Sequence, residues 1–245
     1  MDGLATQCGM VRGAGDPLTA LLNYVSAEGL NANFAIYDLR NLAGSTVSPS
    51  GGLTTSTMSL IGSPTLGIDG VTFNGSNQYG EINNSSFWVN DRFDPHTLFA
   101  RATPASTSNG CLIAKQDDVI HQFRGIYLFR ILGQGIWNGM QNKSLDFINS
   151  KTSSLNTTDQ TYIGTYDGSG SNSGLKIYED GVDATSLLEG TLTSTVSTNA
   201  KFRIAARGLN STNLHFAGKI TAVGMFDVEL TSAQASVVSS YLNAL

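Results

Sequence analysis

Hydrophobic and polar residues alternate with a period of two in several short runs of this chain. The clearest case is residues 161–183, where the alternating runs 162–166 and 175–178 flank a loop of Gly, Ser and Asn. Such alternation predicts half-buried strands. The Glu179-Asp180-Gly181 turn that follows is typical of a tight hairpin, because Gly adopts the positive φ that the turn needs. The segment therefore predicts an antiparallel sheet.

Further strand patterns recur from residue 34 onward. They cover residues 34–39, 58–61, 71–73, 79–82, 98–102, 112–115, 126–132, 145–148, 202–206 and 216–226. Residues 41–56 read as a polar loop. Short strands at regular spacing, with turn residues between them, indicate an all-β sandwich or barrel.

A short amphipathic helix is predicted near each end of the chain. Asp16 is suited to be the N-cap of the first helix and Pro17 its first residue, and Gly29 ends it. The apolar stripe of this helix consists of Leu18, Leu21, Leu22 and Val25. The stripe packs either on the domain behind it or on a partner, and we assign it to an oligomer or docking surface. The second helix begins at Leu230-Thr231. We expect residues 1–32 to form an arm and residues 33–245 one sandwich domain.

The run 125–132 is apolar on both faces. Ile126, Leu128 and Leu132 share one face with Arg130, and Tyr127, Phe129 and Ile131 lie on the other. A strand of this kind is usually covered on both sides. Either loops fold over it or one face meets another subunit. We therefore add Tyr127 and Phe129 to the predicted docking surface.

Composition and charge exclude several classes of function. The 245 residues include 13% charged residues, carry a net charge of −5 and have a pI near 5.0. No basic patch is present to neutralise phosphates, so we expect no nucleic-acid partner. No run approaches the roughly 20 apolar residues of a membrane span, and the first residues lack the pattern of a signal peptide. We expect synthesis in a reducing cytoplasm, with Cys8 and Cys111 as free thiols rather than a pair.

Six segments resemble, in order, the motifs of a concanavalin A-like lectin domain of the laminin-G-like type. They are VTFNGSNQYGEI (71–82), FDPHTLFAR (93–101), GCLIAK (110–115), GIYLFR (125–130), the pair GTYDG (164–168) and LKIYEDG (175–181), and FAGKITAVGMFDVEL (216–230). Ala100 stands where the family commonly has Trp. The resemblance covers about residues 34–245 and implies a jelly-roll sandwich of two antiparallel sheets.

Members of this family bind glycans or proteins, decorate virions and fibres, or accompany hydrolase domains, so the fold alone does not decide the activity. Our hypothesis is a non-enzymatic structural protein of a tailed phage virion, as capsid decoration, tail or fibre component. It would assemble as a homo-oligomer with other virion proteins and bind a host-surface glycan. The alternatives are a stand-alone microbial lectin and a glycoside hydrolase.

Glycan recognition needs an aromatic platform with polar partners on loops. Trp88, which lies among asparagines, and Trp137 with Asn138 are the two places where the sequence pairs these residue types. Each Trp is equally suited to plug an end of the sandwich. We take Trp88, Trp137 and Asn138 as the candidate ligand-binding residues.

Candidate residues for metal binding and catalysis are few. Asp117-Asp118 follows a predicted strand and offers oxygen ligands for calcium, and the alternative is a solvated turn. No cofactor is expected otherwise. His96, His121 and His215 are scattered and suggest no zinc site. Glu179, Asp180 and Asp183 come closest to the carboxylate pair of a glycosidase, but turn chemistry explains them. We predict no catalytic residues.

Overall fold

The computed structural model describes residues 15–30, 34–52, 56–82, 91–105, 109–117, 124–142, 144, 146–153, 156–208 and 214–245. The helices are α1 (Pro17–Ala27) and α2 (Ser232–Asn243), and the turn Asn172–Gly174 is a short 3₁₀ helix. The first strands are β1 (Phe34–Asp38), β2 (Thr46–Val47), β3 (Gly51–Gly52), β4 (Met58–Ile61), β5 (Thr65–Gly67), β6 (Gly70–Asn74), β7 (Tyr79–Ile82), β8 (His96–Pro104) and β9 (Gly110–Asp117). The remaining strands are β10 (Arg124–Ile131), β11 (Gly135–Gln141), β12 (Phe147–Lys151), β13 (Gln160–Tyr166), β14 (Leu175–Glu179), β15 (Val182–Asp183), β16 (Leu187–Gly190), β17 (Arg203–Ile204) and β18 (Ala217–Phe226).

The strands form two antiparallel sheets, which confirms the predicted all-β sandwich. The first sheet has the order β15-β14-β13-β8-β18-β1-β3, with β6 also paired to β18 and β5 to β6. The second sheet has the order β16-β12-β11-β10-β9-β17-β7-β4-β2. Neither helix in the described part of the chain is long and apolar enough to cross a membrane.

The main core lies between the two sheets. Alternate residues of each strand point into it, as period-two patterning requires. Ala100 and Val223 of the first sheet and Ile113, Leu128 and Met140 of the second are all fully buried there. Of the run 125–132, Ile126, Leu128 and Arg130 are buried, whereas Leu132 follows the strand and is exposed.

Both helices cover the outer face of the first sheet. The Asp16 side chain accepts a hydrogen bond from the Thr19 amide at 3.1 Å, and Thr231 and Gln234 form a capping box at the start of α2. These caps satisfy backbone amides that a helix start leaves unpaired. The helices bury a second apolar cluster against the sheet, around Phe99 and Phe226.

The apolar stripe of α1 belongs to this second cluster. Leu21 and Val25 are fully buried, and Leu18 and Leu22 pack against the cluster from its margin. The stripe therefore contacts the chain's own sheet, and the structure does not present it as the docking surface that we expected. The sequence left this choice open because an apolar stripe shows only that a helix needs a partner, not which one.

Candidate functional site

Strand pairing places aromatic and polar residues of the second sheet in two rows on its outer face. One row runs across the sheet through Phe129, Trp137, Lys151 and Leu187. The next row runs through Tyr127, Gly139, Asn149 and Glu189. Residues directly opposite one another on antiparallel strands have interacting side chains. The rows therefore bring together residues that are far apart in the sequence.

The part of this face around Tyr127 and Phe129 is closed. The two rings stack with their centroids 4.3 Å apart and an interplanar angle of 10°. Leu214 packs against them, and the Arg207 guanidinium lies 5.5 Å from the centre of the Phe129 ring. Tyr127 and Phe129 are only 4% and 3% exposed. Of the two interpretations of this strand, covering by the chain's own loops is what the structure shows, and these residues are not an exposed docking surface.

Gly139 allows the Tyr127 hydroxyl to cross β11 and donate a hydrogen bond to the Asn149 side-chain oxygen. A Cβ at Gly139 would overlap that oxygen and would lie 3.1 Å from the tyrosine hydroxyl. Burial raises the pKa of the Tyr127 phenol, so the group is a neutral donor. Gly139 therefore serves the packing of this face.

The part of the face beyond Trp137 is open. Trp137 is partly exposed, and the Lys151 ammonium lies 4.0 Å from the centre of its ring. The same ammonium forms an ion pair with the Glu189 carboxylate. Within the described ranges, no acceptor reaches the enclosed indole N–H of Trp137. Leaving a buried donor unpaired costs about 1–3 kcal/mol, which reduces the stabilisation gained from packing this ring.

An open depression of about 290 Å³ adjoins this ion pair. Its described lining residues are Gly133, Gln134, Lys151, Thr152, Ser153, Ser186, Leu187 and Glu189. They come from the β10–β11 turn, the end of β12 and the start of β16. Hydroxyl, amide and ionic groups thus converge on a concave surface beside a partly exposed indole ring. We call this surface, together with Trp137, the edge site.

Asn138 does not belong to the edge site. The side chain is fully buried between the sheets, and its Nδ2 donates hydrogen bonds to the Thr165 carbonyl at 2.9 Å and the Lys176 carbonyl at 3.1 Å. Our expectation of a shared Trp137–Asn138 surface is wrong, because consecutive residues of a strand point to opposite faces. Asn138 instead ties β11 to the first sheet.

The other predicted site residues are placed as follows. The Asp117 carboxylate lies 3.5 Å from the Arg124 guanidinium. Asp118, Trp88, His121 and Cys8 lie outside the described residues. Among those that are described, no three His, Cys, Asp or Glu residues are grouped so that they could hold a metal ion. Calcium binding at Asp117 and Asp118 therefore stays a prediction. Cys111 is a buried free thiol whose pKa is raised by burial.

The carboxylates of the 179–183 turn have structural contacts. Asp180, at φ 49°, accepts hydrogen bonds from the Thr161 amide at 2.9 Å and from Asn243 Nδ2 at 3.1 Å. Asp183 accepts a hydrogen bond from the Thr185 amide at 3.0 Å. Burial, with a smaller contribution from Asp180, raises the pKa of Glu179, against the effect of its hydrogen bond with Thr152. These contacts fit the interpretation of Asp180 and Asp183 as turn residues.

A second exposed aromatic ring lies outside the edge site. Phe93 precedes β8, is 57% exposed and has the Arg92 guanidinium 4.5 Å from the centre of its ring. The glycine-rich loop between β13 and β14 packs against its edge, where a Cβ at Gly170 would lie 2.8 Å from the ring. Phe93 therefore offers a natural comparison for Trp137.

Sequence reasoning missed Lys151, Glu189, Gln134 and Ser186. The alternation of β12, with Ile148 and Ser150 buried and Lys151 facing outward, is visible in the sequence. Its pairing with β11 and β16 is not, because pairing between strands leaves no local signal. The edge site could therefore be recognised only from the folded chain.

Comparisons with known proteins identify the fold. No family model matches this sequence, and no curated protein matches it. The structure is similar to the binding domain of Paraclostridial Mosquitocidal Protein 1, with a TM-score of 0.63 and 12% identity over 87% of this chain and 53% of that chain. It is also similar to the botulinum neurotoxin serotype G binding domain, with a TM-score of 0.61 and 16% identity over 86% of this chain and 50% of that chain.

A third similar structure is Trypanosoma rangeli sialidase in complex with 2,3-difluorosialic acid. Its TM-score is 0.60 and its identity 12%, over 93% of this chain and 37% of that chain. The present chain thus spans about half the length of the two toxin binding domains and little more than a third of the sialidase. It shares with them a β-sandwich fold.

Proposed function

We propose that this chain is a non-enzymatic, lectin-like binding domain that takes a carbohydrate at the edge site. The observation that carries the proposal is the partly exposed Trp137 ring beside a depression lined by hydroxyl, amide and ionic groups. Sugar rings present C–H groups that pack on an aromatic face and hydroxyls that need hydrogen-bond partners. A volume of about 290 Å³ lies just below the roughly 300–1,000 Å³ of ligand pockets, which suits a short sugar segment.

The comparisons support a binding role without deciding the ligand. Two of the similar structures are named as the binding domains of a mosquitocidal protein and of a botulinum neurotoxin, and a third is a sialidase in complex with a sialic acid derivative. Their TM-scores of 0.60–0.63 support a shared fold, and at identities of 12–16% the likeness extends no further than the fold. The choice of a sugar therefore rests on the residues of the edge site.

The test is glycan binding measured on an oligosaccharide array and then by titration calorimetry. We expect Trp137→Ala to weaken the best glycan at least tenfold, or about 1.4 kcal/mol, because aromatic anchors dominate such contacts. Phe93→Ala removes another exposed ring and should leave the affinity unchanged. A wild-type protein that binds no glycan contradicts the proposal. Loss of binding in Phe93→Ala but not in Trp137→Ala contradicts the assignment to the edge site.

The absence of catalysis is part of the proposal and has a separate readout. We expect no release of reducing sugar from a polysaccharide panel, for wild type and Glu179→Gln alike. If the wild type hydrolyses a polysaccharide and Glu179→Gln does not, the protein is a glycosidase and the non-enzymatic proposal is wrong.

The finer assignment remains our proposal from the sequence. In it the domain is of the concanavalin A-like type and belongs to a phage virion, as a homo-oligomeric decoration, tail or fibre component. Its support is the ordered set of motifs and a surface rich in Ser, Thr, Asn and Gly with few charges. Light scattering tests the oligomer, and a strictly monomeric protein would contradict it.

A further inference from the structure

We propose that the edge site selects uncharged sugars and that Glu189 is the residue that excludes acidic ones. This inference rests on the proposed carbohydrate-binding function and adds the class of ligand. It follows from the charges of the site, their exposure and the hydrogen-bonding capacity of the two ionic groups.

The charges of the edge site cancel. Among the described residues that line the depression, Lys151 and Glu189 are the two charged ones, and they form an ion pair with each other. Glu179, which forms a hydrogen bond with Thr152, is a further carboxyl behind the wall of the depression. The chain as a whole carries a net charge of −5. An acidic ligand therefore finds no net positive potential to attract it.

The two charges are not equally accessible. The Lys151 side chain is 10% exposed and its ammonium lies over the Trp137 ring, whereas the Glu189 side chain is 34% exposed. A ligand that enters the depression meets the carboxylate before the ammonium. A sugar carboxylate in this position would be repelled at short range and would also have to displace Glu189 from Lys151.

Hydroxyl groups match both members of the ion pair. An ammonium only donates hydrogen bonds and an ionised carboxylate only accepts them, whereas a hydroxyl does both. Two neighbouring sugar hydroxyls can therefore accept from Lys151 and donate to Glu189 without breaking the ion pair. A carboxylate group of the ligand can accept from Lys151 but has no proton to donate to Glu189.

The experiment compares neutral oligosaccharides with the same oligosaccharides capped by sialic acid. We expect the wild type to bind the uncapped chains at least about tenfold more tightly, and Glu189→Gln to reduce this preference to about threefold or less. Asp69→Asn is the matched control. It removes one carboxylate from the Lys219–Asp69 ion pair, which has a length of 2.6 Å and lies on the first sheet, and it should leave the preference unchanged.

The outcomes separate the inference from the function on which it rests. Equal or tighter wild-type binding of the capped chains overturns the inference and leaves the binding function intact. Binding of neither series overturns the proposed function. If Asp69→Asn reduces the preference for neutral chains as much as Glu189→Gln does, the role of Glu189 is overturned, because the overall charge of the protein would then explain the preference. Glu189→Ser is measured beside Glu189→Gln, and a preference retained by both folded variants also overturns that role.

Discussion

The outer faces of the two sheets are covered in different ways. On the first sheet, α1 and α2 bury an apolar cluster around Phe99 and Phe226, and this face belongs to the core. On the second sheet, aromatic rings are stacked with each other and with cations, and the face opens into a depression at its β16 edge. Removal of apolar surface from water stabilises the first arrangement, whereas the second leaves polar groups available to a ligand. The comparison predicts that stability and binding can be altered separately.

The largest expected effect lies under the helices. Phe226 is fully buried, with ring centroids 5.8 Å from Phe34 and 5.7 Å from Phe99. Phe226→Ala should lower the free energy of unfolding by about 3–5 kcal/mol, because it removes a large side chain and leaves a cavity. Chemical denaturation measures the loss, and Phe93→Ala should lower stability by no more than about 1 kcal/mol, because the ring is 57% exposed. If Phe226→Ala and Phe93→Ala lower the free energy of unfolding equally, the cluster under the helices is not the larger source of stability.

A second prediction concerns acid. His96, at the start of β8 in the first sheet, is fully buried against Tyr166, and burial lowers its pKa from 6.5 to about 4. Between pH 6.5 and about pH 4, His96 therefore stays neutral in the folded protein but is protonated in the unfolded chain. This contribution to stability is complete above pH 6.5 and is lost as the pH falls towards 4.

Between pH 7.5 and pH 4.5 the loss should be about 2–3 kcal/mol, from 1.36 kcal/mol for each pKa unit. Urea denaturation of wild type and His96→Gln at the two pH values measures it. The variant should lose less stability on acidification than the wild type by this amount. An identical pH dependence in both proteins would show that His96 is not the group responsible.

The smallest effect is expected on the closed part of the second sheet. Tyr127→Phe removes the hydrogen bond to Asn149 but keeps the stacked ring. It should cost about 1 kcal/mol of stability, with no change in glycan affinity, because Tyr127 lies outside the edge site. If Tyr127→Phe lowers the binding free energy by more than it lowers the free energy of unfolding, the binding site extends across the sheet to Tyr127.

Much of the fold was predictable from the sequence because strand and helix signals are local. The strands predicted at 58–61 and 79–82 match β4 and β7. Asp16 and Thr231 are the N-caps of α1 and α2, so both helices begin at the predicted positions. β11 was missed. Its glycines at 135 and 139 favour a loop in the sequence. In the structure Gly135 has a φ of 88° and lies close to Thr152, and Gly139 leaves room for the Tyr127 hydroxyl. The alternation of Ile136, Asn138 and Met140 was the signal that could have revealed it.

The site was less predictable than the fold. Trp137 was chosen as a candidate from its residue type, and Asn138 was assigned to the wrong face because β11 was not recognised as a strand. Lys151 and Glu189 reach Trp137 only through pairing across three strands. Contacts of this kind depend on the long-range register of the sheet, which is set by packing of the whole core and not by any one segment.

The alternation of β11 has a consequence for how such a domain diversifies. Asn138 holds the strand to the opposite sheet from one side, so the strand keeps its position while residues on the other side are exchanged. Substitutions at 137, 151 and 189 can then accumulate on a fixed scaffold, and each alters the chemistry offered to a ligand with little cost to folding. A lineage that binds ligands on this face could change its ligand by substituting a few outward positions on three adjacent strands.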